Sequence, residues 1–344
     1  MSRAYKIIGS VAVLLALAVS AALLAACGSS SSGGSTTSAS PSTVAKTYKI
    51  GVTQIVTHPA LDACVQGFKD QLKAEGIKAT YDDQNAEGDM ATATSIAQKF
   101  AGEDLDLIFS VATPTSQACA KATTTIPIVF DAVTDPVGAG LVKNLSAPAA
   151  NVTGTSDMQP VKPILQLVQL VPGAKAVGAL YNAGESNSVF LVNQEEKVAK
   201  QLGYTLVKAT ASNSSEVQAA AQSLVGKVQA ITVIGDNTIV SALESVIKVC
   251  QQNKILLLAG DPDSVKRGAA AAFGFDYADI GKQAGAQAAK ILTGTPVKDV
   301  PVEFAKNLQL TVNPAAAKSM GVTLPQSLID KAQTVVTASP SPST

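Results

Sequence analysis

From residue 48 onward the chain alternates between two kinds of segment. Short, nearly continuous apolar runs, YKIGVTQIV, IKATYDD, LDLIFSVA and IPIVFDAV, read as strands buried on both faces. Between them lie the helical segments ALDACVQGFKDQLKAEG, MATATSIAQKFAGE and PTSQACAKATT, the first closed by Gly76 in the position where a helix ends on glycine. The second half repeats the plan. AVGALYN, YTLVKAT, AITVIG, KILLLAG and AAAAFGF are its strands, and SVFLVNQEEKVAKQLG, SSEVQAAAQSLVG and TIVSALESVIKVCQQN its helices. A further helix, ADIGKQAGAQAAKILTG, precedes PVEFAKNLQLTVN and PAAAKSMGV. This alternation predicts an α/β protein of two doubly wound parallel-sheet domains joined by a hinge.

The connections share a signature. Several buried strands end in a short polar residue and then proline: Thr57-His58-Pro59, Thr113-Pro114, Asp135-Pro136 and Asp261-Pro262. Asp236-Asn237 has the polar residue without the proline. Thr and Asp are good helix caps and proline suits a first helical turn, so tidy helix starts are one reading. The other is a binding rim, because these loops fall at the carboxyl ends of parallel strands, where open α/β sheets hold ligands. Three rims in the first half and two in the second, facing each other, would make a cleft between domains.

The N-terminus departs from this pattern. Arg3 and Lys6 precede the apolar run IIGSVAVLLALAVSAALLAA, which ends at Cys27. A basic start, an apolar stretch and small residues before a break are the parts of a secretory signal. Leu24-Ala25-Ala26-Cys27 matches the bacterial lipobox, in which the cysteine sulfur takes a diacylglycerol before cleavage. GSSSSGGSTTSASPST follows, a tether without core-forming residues. Residues 1–26 therefore read as a signal peptide and 27–47 as a lipidated Cys27 with a flexible linker, which places the body on the extracytoplasmic face of a bacterial membrane. The tail, 336–344, is read as disordered.

Composition narrows the function. Hydrophobic residues make up 47% and charged ones 15% of the 344 residues, enough apolar content to fold two domains of ordinary size. Basic and acidic residues are both 26, and losing Arg3 and Lys6 with the signal leaves 24 against 26, so no basic surplus points to nucleic acid. No nucleophile elbow, phosphate loop or second histidine accompanies His58, the single histidine. Gly138-Ala139-Gly140 sits at a helix start after Asp135-Pro136 and lacks the preceding strand of a dinucleotide site. Nothing suggests catalysis, a metal or another cofactor. Cys64 and Cys119 follow rim residues at similar spacing, and on sequence they are either a disulfide or buried thiols.

Long stretches in order, among them IGVTQIVTHPALDACVQGFKDQL, DDQNAEGDMATATSIAQKF, IPIVFDAVTDPVGAGLV, NVTGTSDMQPV and DSVKRGAAAAFGFDYADIG, resemble the ABC-transporter substrate-binding proteins of the tryptophan/tyrosine type. The resemblance runs from residue 48 to about 335. It implies a type I periplasmic-binding fold, a monomer that hands a small solute, an amino acid and an aromatic one among the options, to a permease driven by an ATPase. A ligand-sensing lipoprotein, or a receptor for a sugar or nucleoside, stays open beside it. The fold implies three crossings, placed near Asp157, Phe275 and Val297. They give one lobe of 48–157 plus 276–296 and another of 158–275 plus 297–335. Gly235-Asp236-Asn237 stands where relatives usually carry Thr-Asp-Asn, Ala259-Gly260-Asp261-Pro262-Asp263 where they carry Ser-Asp-Thr-Asp, and Asp131 where many have Ser. All three departures fall on the rims and bear on the ligand more than on the fold.

An amino acid presents a carboxylate and an ammonium. Arg267, the one arginine of the mature chain, lies before a strand in SVKRGAAAAF and reads as a surface residue. Helix N-termini and hydroxyls around Thr113 and Ser186-Asn187-Ser188 are then the carboxylate's candidates. Asp236 and Asp261, with Asn237 beside them, face Asp131 and Asp135 as candidates for the ammonium. Gln54 and His58 are expected as polar contacts on the first rim.

Overall fold

The computed structural model describes residues 46–148 and 151–337; the signal, Cys27, residues 27–45 of the linker and the last seven residues lie outside the described part. Along the chain β1 (Thr47–Gln54), α1 (Pro59–Ala74), β2 (Lys78–Asn85), α2 (Met90–Ala101), β3 (Leu107–Val111), α3 (Thr113–Ala122), β4 (Ile128–Asp131) and β5 (Val152–Ser156) come first. The chain continues through α4 (Val161–Gln166), β6 (Ala176–Tyr181), α5 (Ser186–Leu202), β7 (Thr205–Thr210), α6 (Val217–Ser223) and β8 (Ala230–Val233). It then runs α7 (Asn237–Ser241), α8 (Leu243–Asn253), β9 (Leu256–Ala259), α9 (Pro262–Arg267) and β10 (Ala271–Gly274). Last come α10 (Tyr277–Leu292), β11 (Glu303–Phe304), β12 (Gln309–Val312), α11 (Pro314–Ser319), α12 (Gln326–Ile329) and β13 (Thr334–Val335).

Two sheets result, in the orders β2-β1-β3-β4-β5-β11 and β7-β6-β8-β9-β10-β12-β13. Every pairing is parallel except β10 with β12. The central strands carry apolar runs without alternation because helices cover both faces. Each sheet has its own core. The first gathers Ile50, Phe68, Phe100, Phe109 and Phe130 with Ile280 and Ala284 of α10, and the Phe68 and Phe109 rings stack at 3.8 Å. The second is aliphatic, built on Leu165, Ile231, Leu256, Leu257 and Leu258. Each fully buried side chain of this size contributes roughly 1.5–3 kcal/mol.

Close backbone packing ties α1 to α10. A Cβ on Gly67 would lie 2.2 Å from the Ala278 carbonyl oxygen, and one on Gly281 would lie 2.1 Å from that of Cys64. Only glycine permits that approach, so the two helices form one slab.

The chain passes between the sheets three times. Ser156 ends the first sheet while Val161 already packs in the second core, and Gly274 ends β10 while Phe275 and Tyr277 return to the first core. The third differs. Glu303–Phe304 pairs with β5 of the first sheet, so the chain passes over between Phe304 and Gln309, beyond Val297. A two-residue strand with an exposed Phe304 leaves no apolar run to mark it. Val336, within the segment expected as tail, donates its N–H to the Val312 carbonyl at 2.8 Å. Residues 136–140 form turns after Asp135, whose carboxylate accepts from the Gly138 N–H, and no helix starts there. Cys64, Cys119 and Cys250 are free and buried. Among the described residues no helix is long and apolar enough to cross a membrane.

Candidate functional site

The carboxyl ends of both sheets meet across a narrow cavity. His58, Leu61, Ala132 and Thr134 come to it from the first domain, Asn187, Gly235, Asp236, Asn237 and Asp261 from the second. Asp157, Gln159 and Tyr277, on or beside the two early crossings, complete it. No lysine or arginine lines it among the described residues.

On the first-domain side His58 lines the cavity while Thr113 and Asp131 lie outside its lining, and all three hold polar atoms without partners. His58 occupies the cap position of α1 in extended backbone, with no side-chain capping bond. It is 7% exposed, and neither ring nitrogen has a partner. Burial, then the Arg267 charge across the cleft, lower its pKa to about 4. Ala112, at φ 79°, takes the cap position of α3. Thr113 is therefore the first helical residue rather than the cap, and its buried hydroxyl is unpartnered. Asp131 is fully buried beneath Ala132, near Cys64, and both its oxygens lack partners. Burial first holds its carboxyl well above the usual range.

The second-domain side is acidic and mostly engaged. Asp236 caps α7, accepting from Ile239 N–H at 2.7 Å and Asn182 N–H at 2.6 Å. Burial, then the neighbouring Glu185, raise its pKa. Asp261 caps α9 through the N–H and hydroxyl of Ser264 at 2.7 and 2.6 Å, and burial raises it too. Asn187 donates to the Gly235 carbonyl at 2.8 Å and leaves its Oδ1 free. Asn237 donates to Glu185, and the Ser188 hydroxyl lies inside against Asn187 and Asp236, off the cavity.

Three other candidates stand apart from the central cavity. Gln54 turns to Asp62 of α1 at 2.9 Å. Asp135 and Ser186 line a side cavity with Thr113 and Asn187, and the Ser186 hydroxyl reaches Gln117 of the first domain at 3.5 Å. Arg267 forks onto Glu244, with both nitrogen to oxygen distances 2.7 Å, and adds a bond to the Val240 carbonyl.

Sequence reasoning missed five residues: Thr134, Asp157, Gln159, Glu185 and Tyr277. Tyr277 donates its hydroxyl to Asp157 at 2.8 Å and accepts from the Gln159 amide at 3.0 Å, while Thr134 donates to the other Asp157 oxygen at 3.2 Å. Burial raises the Asp157 pKa. Glu185 gathers the N–H and side chain of both Asn237 and Thr238, locking the β6 loop to the β8 loop. Their one signal was position: Asp157 and Tyr277 adjoin the expected crossings, and Glu185 precedes the serine cluster.

A buried boundary of this kind, rich in acceptors and unpartnered atoms, suits a small polar molecule. Comparison with known proteins agrees. Residues 49–336 match the family described as ABC transporter substrate binding protein. A curated relative, the tyrosine-binding protein of Clostridioides difficile, is 42% identical over 280 residues, 80% of this chain and 81% of its own. Among solved structures, a conserved domain protein of Vibrio cholerae is 43% identical with a TM-score of 0.82, covering 84% of this chain and 100% of its own. A Streptococcus pneumonia ABC domain in complex with L-Trp is 33% identical at a TM-score of 0.81, covering 84% and 100%. A ligand-free, open substrate-binding protein of Clostridium difficile is 40% identical yet has a TM-score of 0.63, covering 85% and 100%. The matched residues thus superpose more closely on the tryptophan-bound structure than on the open one. On this match the chain belongs to the family of ABC-transporter substrate-binding proteins, of the tryptophan/tyrosine type, with the two-domain periplasmic-binding fold.

Proposed function

We propose that this protein is a lipid-anchored, extracytoplasmic receptor that captures an amino acid, aromatic by preference, and delivers it to the permease of an ABC importer. The observation that carries the reading is the gathering of buried, unpartnered atoms of His58, Thr113, Gln159 and Asn187 about the junction of the two domains. Each such group costs about 1–3 kcal/mol to bury alone, a penalty that a bound solute relieves. The tyrosine and tryptophan named for two relatives support the aromatic class. In this reading the acidic rim around Asp236 and Asp261 meets the ammonium. The hydroxyl of Thr113 and the helix starts near Ser186 and Asn187 meet the carboxylate. The ligand touches both rims only when they close, so binding shifts the population toward the closed form that the permease reads. The function needs no bond made or broken, and the chain acts as a monomer tethered through Cys27.

The test is mass spectrometry of solute released from purified protein, joined to a thermal-shift screen of tyrosine, tryptophan, phenylalanine, sugars and nucleosides. Stabilisation by an aromatic amino acid is expected. Stabilisation by sugars or nucleosides and by no amino acid overturns the reading. A diacylglyceryl group on the N-terminal peptide from membranes tests the anchor.

A further inference from the structure

We propose that the amide oxygen of Gln159 receives the ligand's ammonium group, and that Gly260 lacks a side chain because that amide occupies its place. This rests on the amino-acid reading above and names the atom that selects the amine.

The orientation of the amide follows from its neighbours. The Tyr277 hydroxyl has one proton, and it goes to Asp157 Oδ2 at 2.8 Å. Its oxygen then accepts from Gln159 Nε2 at 3.0 Å, so the network assigns the nitrogen end of the amide to Tyr277. The oxygen end, Oε1, faces the other way, buried and without a partner. It meets the second domain at two glycines. A Cβ on Gly260 would lie 2.0 Å from Oε1 and 2.9 Å from Cδ; one on Gly235, whose φ is 57°, would meet Leu191 at 2.5 Å and only touch Oε1 at 3.7 Å. The residue after the first crossing is thus socketed between the loops that follow β8 and β9.

The charge around this oxygen is negative. Asp236 and Asp261 directly follow the two glycines, and Asp157 stands behind Tyr277. Each oxygen of these three carboxyls already accepts a bond: Asp236 from Asn182 and Ile239, Asp261 twice from Ser264, Asp157 from Thr134 and Tyr277. They supply the field that draws a cation, and Gln159 Oε1 supplies the acceptor with nothing yet bound to it. The acceptor role that sequence reasoning gave to the rim aspartates passes to an uncharged amide held by a tyrosine.

The experiment is calorimetry with two ligand pairs, L-tyrosine against 3-(4-hydroxyphenyl)propionate and L-tryptophan against indole-3-propionate. The proteins are wild type, Gln159→Ala, Gly260→Ala and the double variant. The three atoms nearest a Cβ at Gly260 all belong to the movable Gln159 amide, so Gly260→Ala should displace Gln159 while the melting temperature stays near wild type. Each single variant should weaken the amino acid by about tenfold or more and the des-amino compound by less than about threefold. With Gln159 already truncated, Gly260→Ala should add less than about twofold, because the two changes act on one contact. Equal losses for both members of a pair, or additive losses in the double variant, overturn the proposal while leaving the amino-acid reading intact. A wild-type protein that binds neither amino acid overturns both.

Discussion

Acidification should loosen ligand binding through His58. Its ring is buried where the domains meet, with Asn237 beside it and the charges of Arg267 and Asp263 facing it from α9. In the closed form its pKa is about 4, against 6.5 for an ordinary histidine. The closed form therefore holds the neutral ring, while an opened cleft lets the ring reach water and titrate normally. Because the closed-state value is the lower one, closure is fully favoured above about pH 6.5 and weakens as pH falls toward 4. At pH 5.5 the linkage amounts to about a tenfold loss of affinity, or about 1.4 kcal/mol, relative to pH 7.5. Asp131, Asp157, Asp236 and Asp261 push the other way, since burial raises their pKa values and favours the protonated, closed state at lower pH. The wild-type profile alone mixes both signs. The assay is thus calorimetric titration with L-tyrosine at several pH values on wild type and His58→Gln, which removes one titrating group and leaves the carboxyls. The variant's profile subtracted from the wild type's should show the tenfold fall. Parallel profiles between pH 7.5 and 5.5 would refute the reasoning and leave His58 a packing residue.

Other consequences can be checked on stability and reactivity. Glu195 is 1% exposed with Thr232 as its hydroxyl donor, and burial raises its pKa from 4.5 to about 7. Its raised value makes its contribution to stability fully present below about pH 4.5 and lost as pH rises through 7, so Glu195→Gln should gain about 1–3 kcal/mol near pH 8 and little near pH 5 in urea unfolding. Gly281→Ala forces a methyl onto the Cys64 carbonyl and should cost about 1–3 kcal/mol, read as a lower Tm by calorimetry. Burial pushes the Cys119 and Cys250 thiols up to about 12 and raises the Cys64 thiol well above its usual range, so a thiol reagent should leave all three untouched in the native protein and modify them within minutes in guanidinium. Arg267→Ala should lower stability through its lost bonds to Glu244 and Val240, with ligand affinity changed by less than about threefold because Arg267 itself does not line the cavity.

The fold was legible because buried parallel strands announce themselves as unbroken apolar runs such as LDLIFSVA and AITVIG, each followed by a helix with a proper start. The third crossing was hidden because Glu303–Phe304 joins its sheet by two residues, with no run of its own. At the site, the rim loops could be found from strand ends, and His58, Asn187, Asp236, Asn237 and Asp261 do line one cavity. Gln54 and Ser188 do not line it, because the same strand-end rule selects residues whose side chains turn to Asp62 or inward. Gln159 gave no local sign and Tyr277 only its place beside a crossing, because their meeting joins positions 118 residues apart. What each side chain binds within a rim depends on neighbours that only the folded chain brings together.

The glycine contact between α1 and α10 bears on the order of events in capture. His58 stands at the N-terminal end of α1 and Tyr277 begins α10, and both point into the same cavity. With backbone pressed on backbone at Gly67 and Gly281, these helix ends cannot shift independently when the domains part. The first domain therefore keeps half of the binding surface assembled in the open protein. A solute can dock there as on a fixed platform, and the second domain then swings in as the lid.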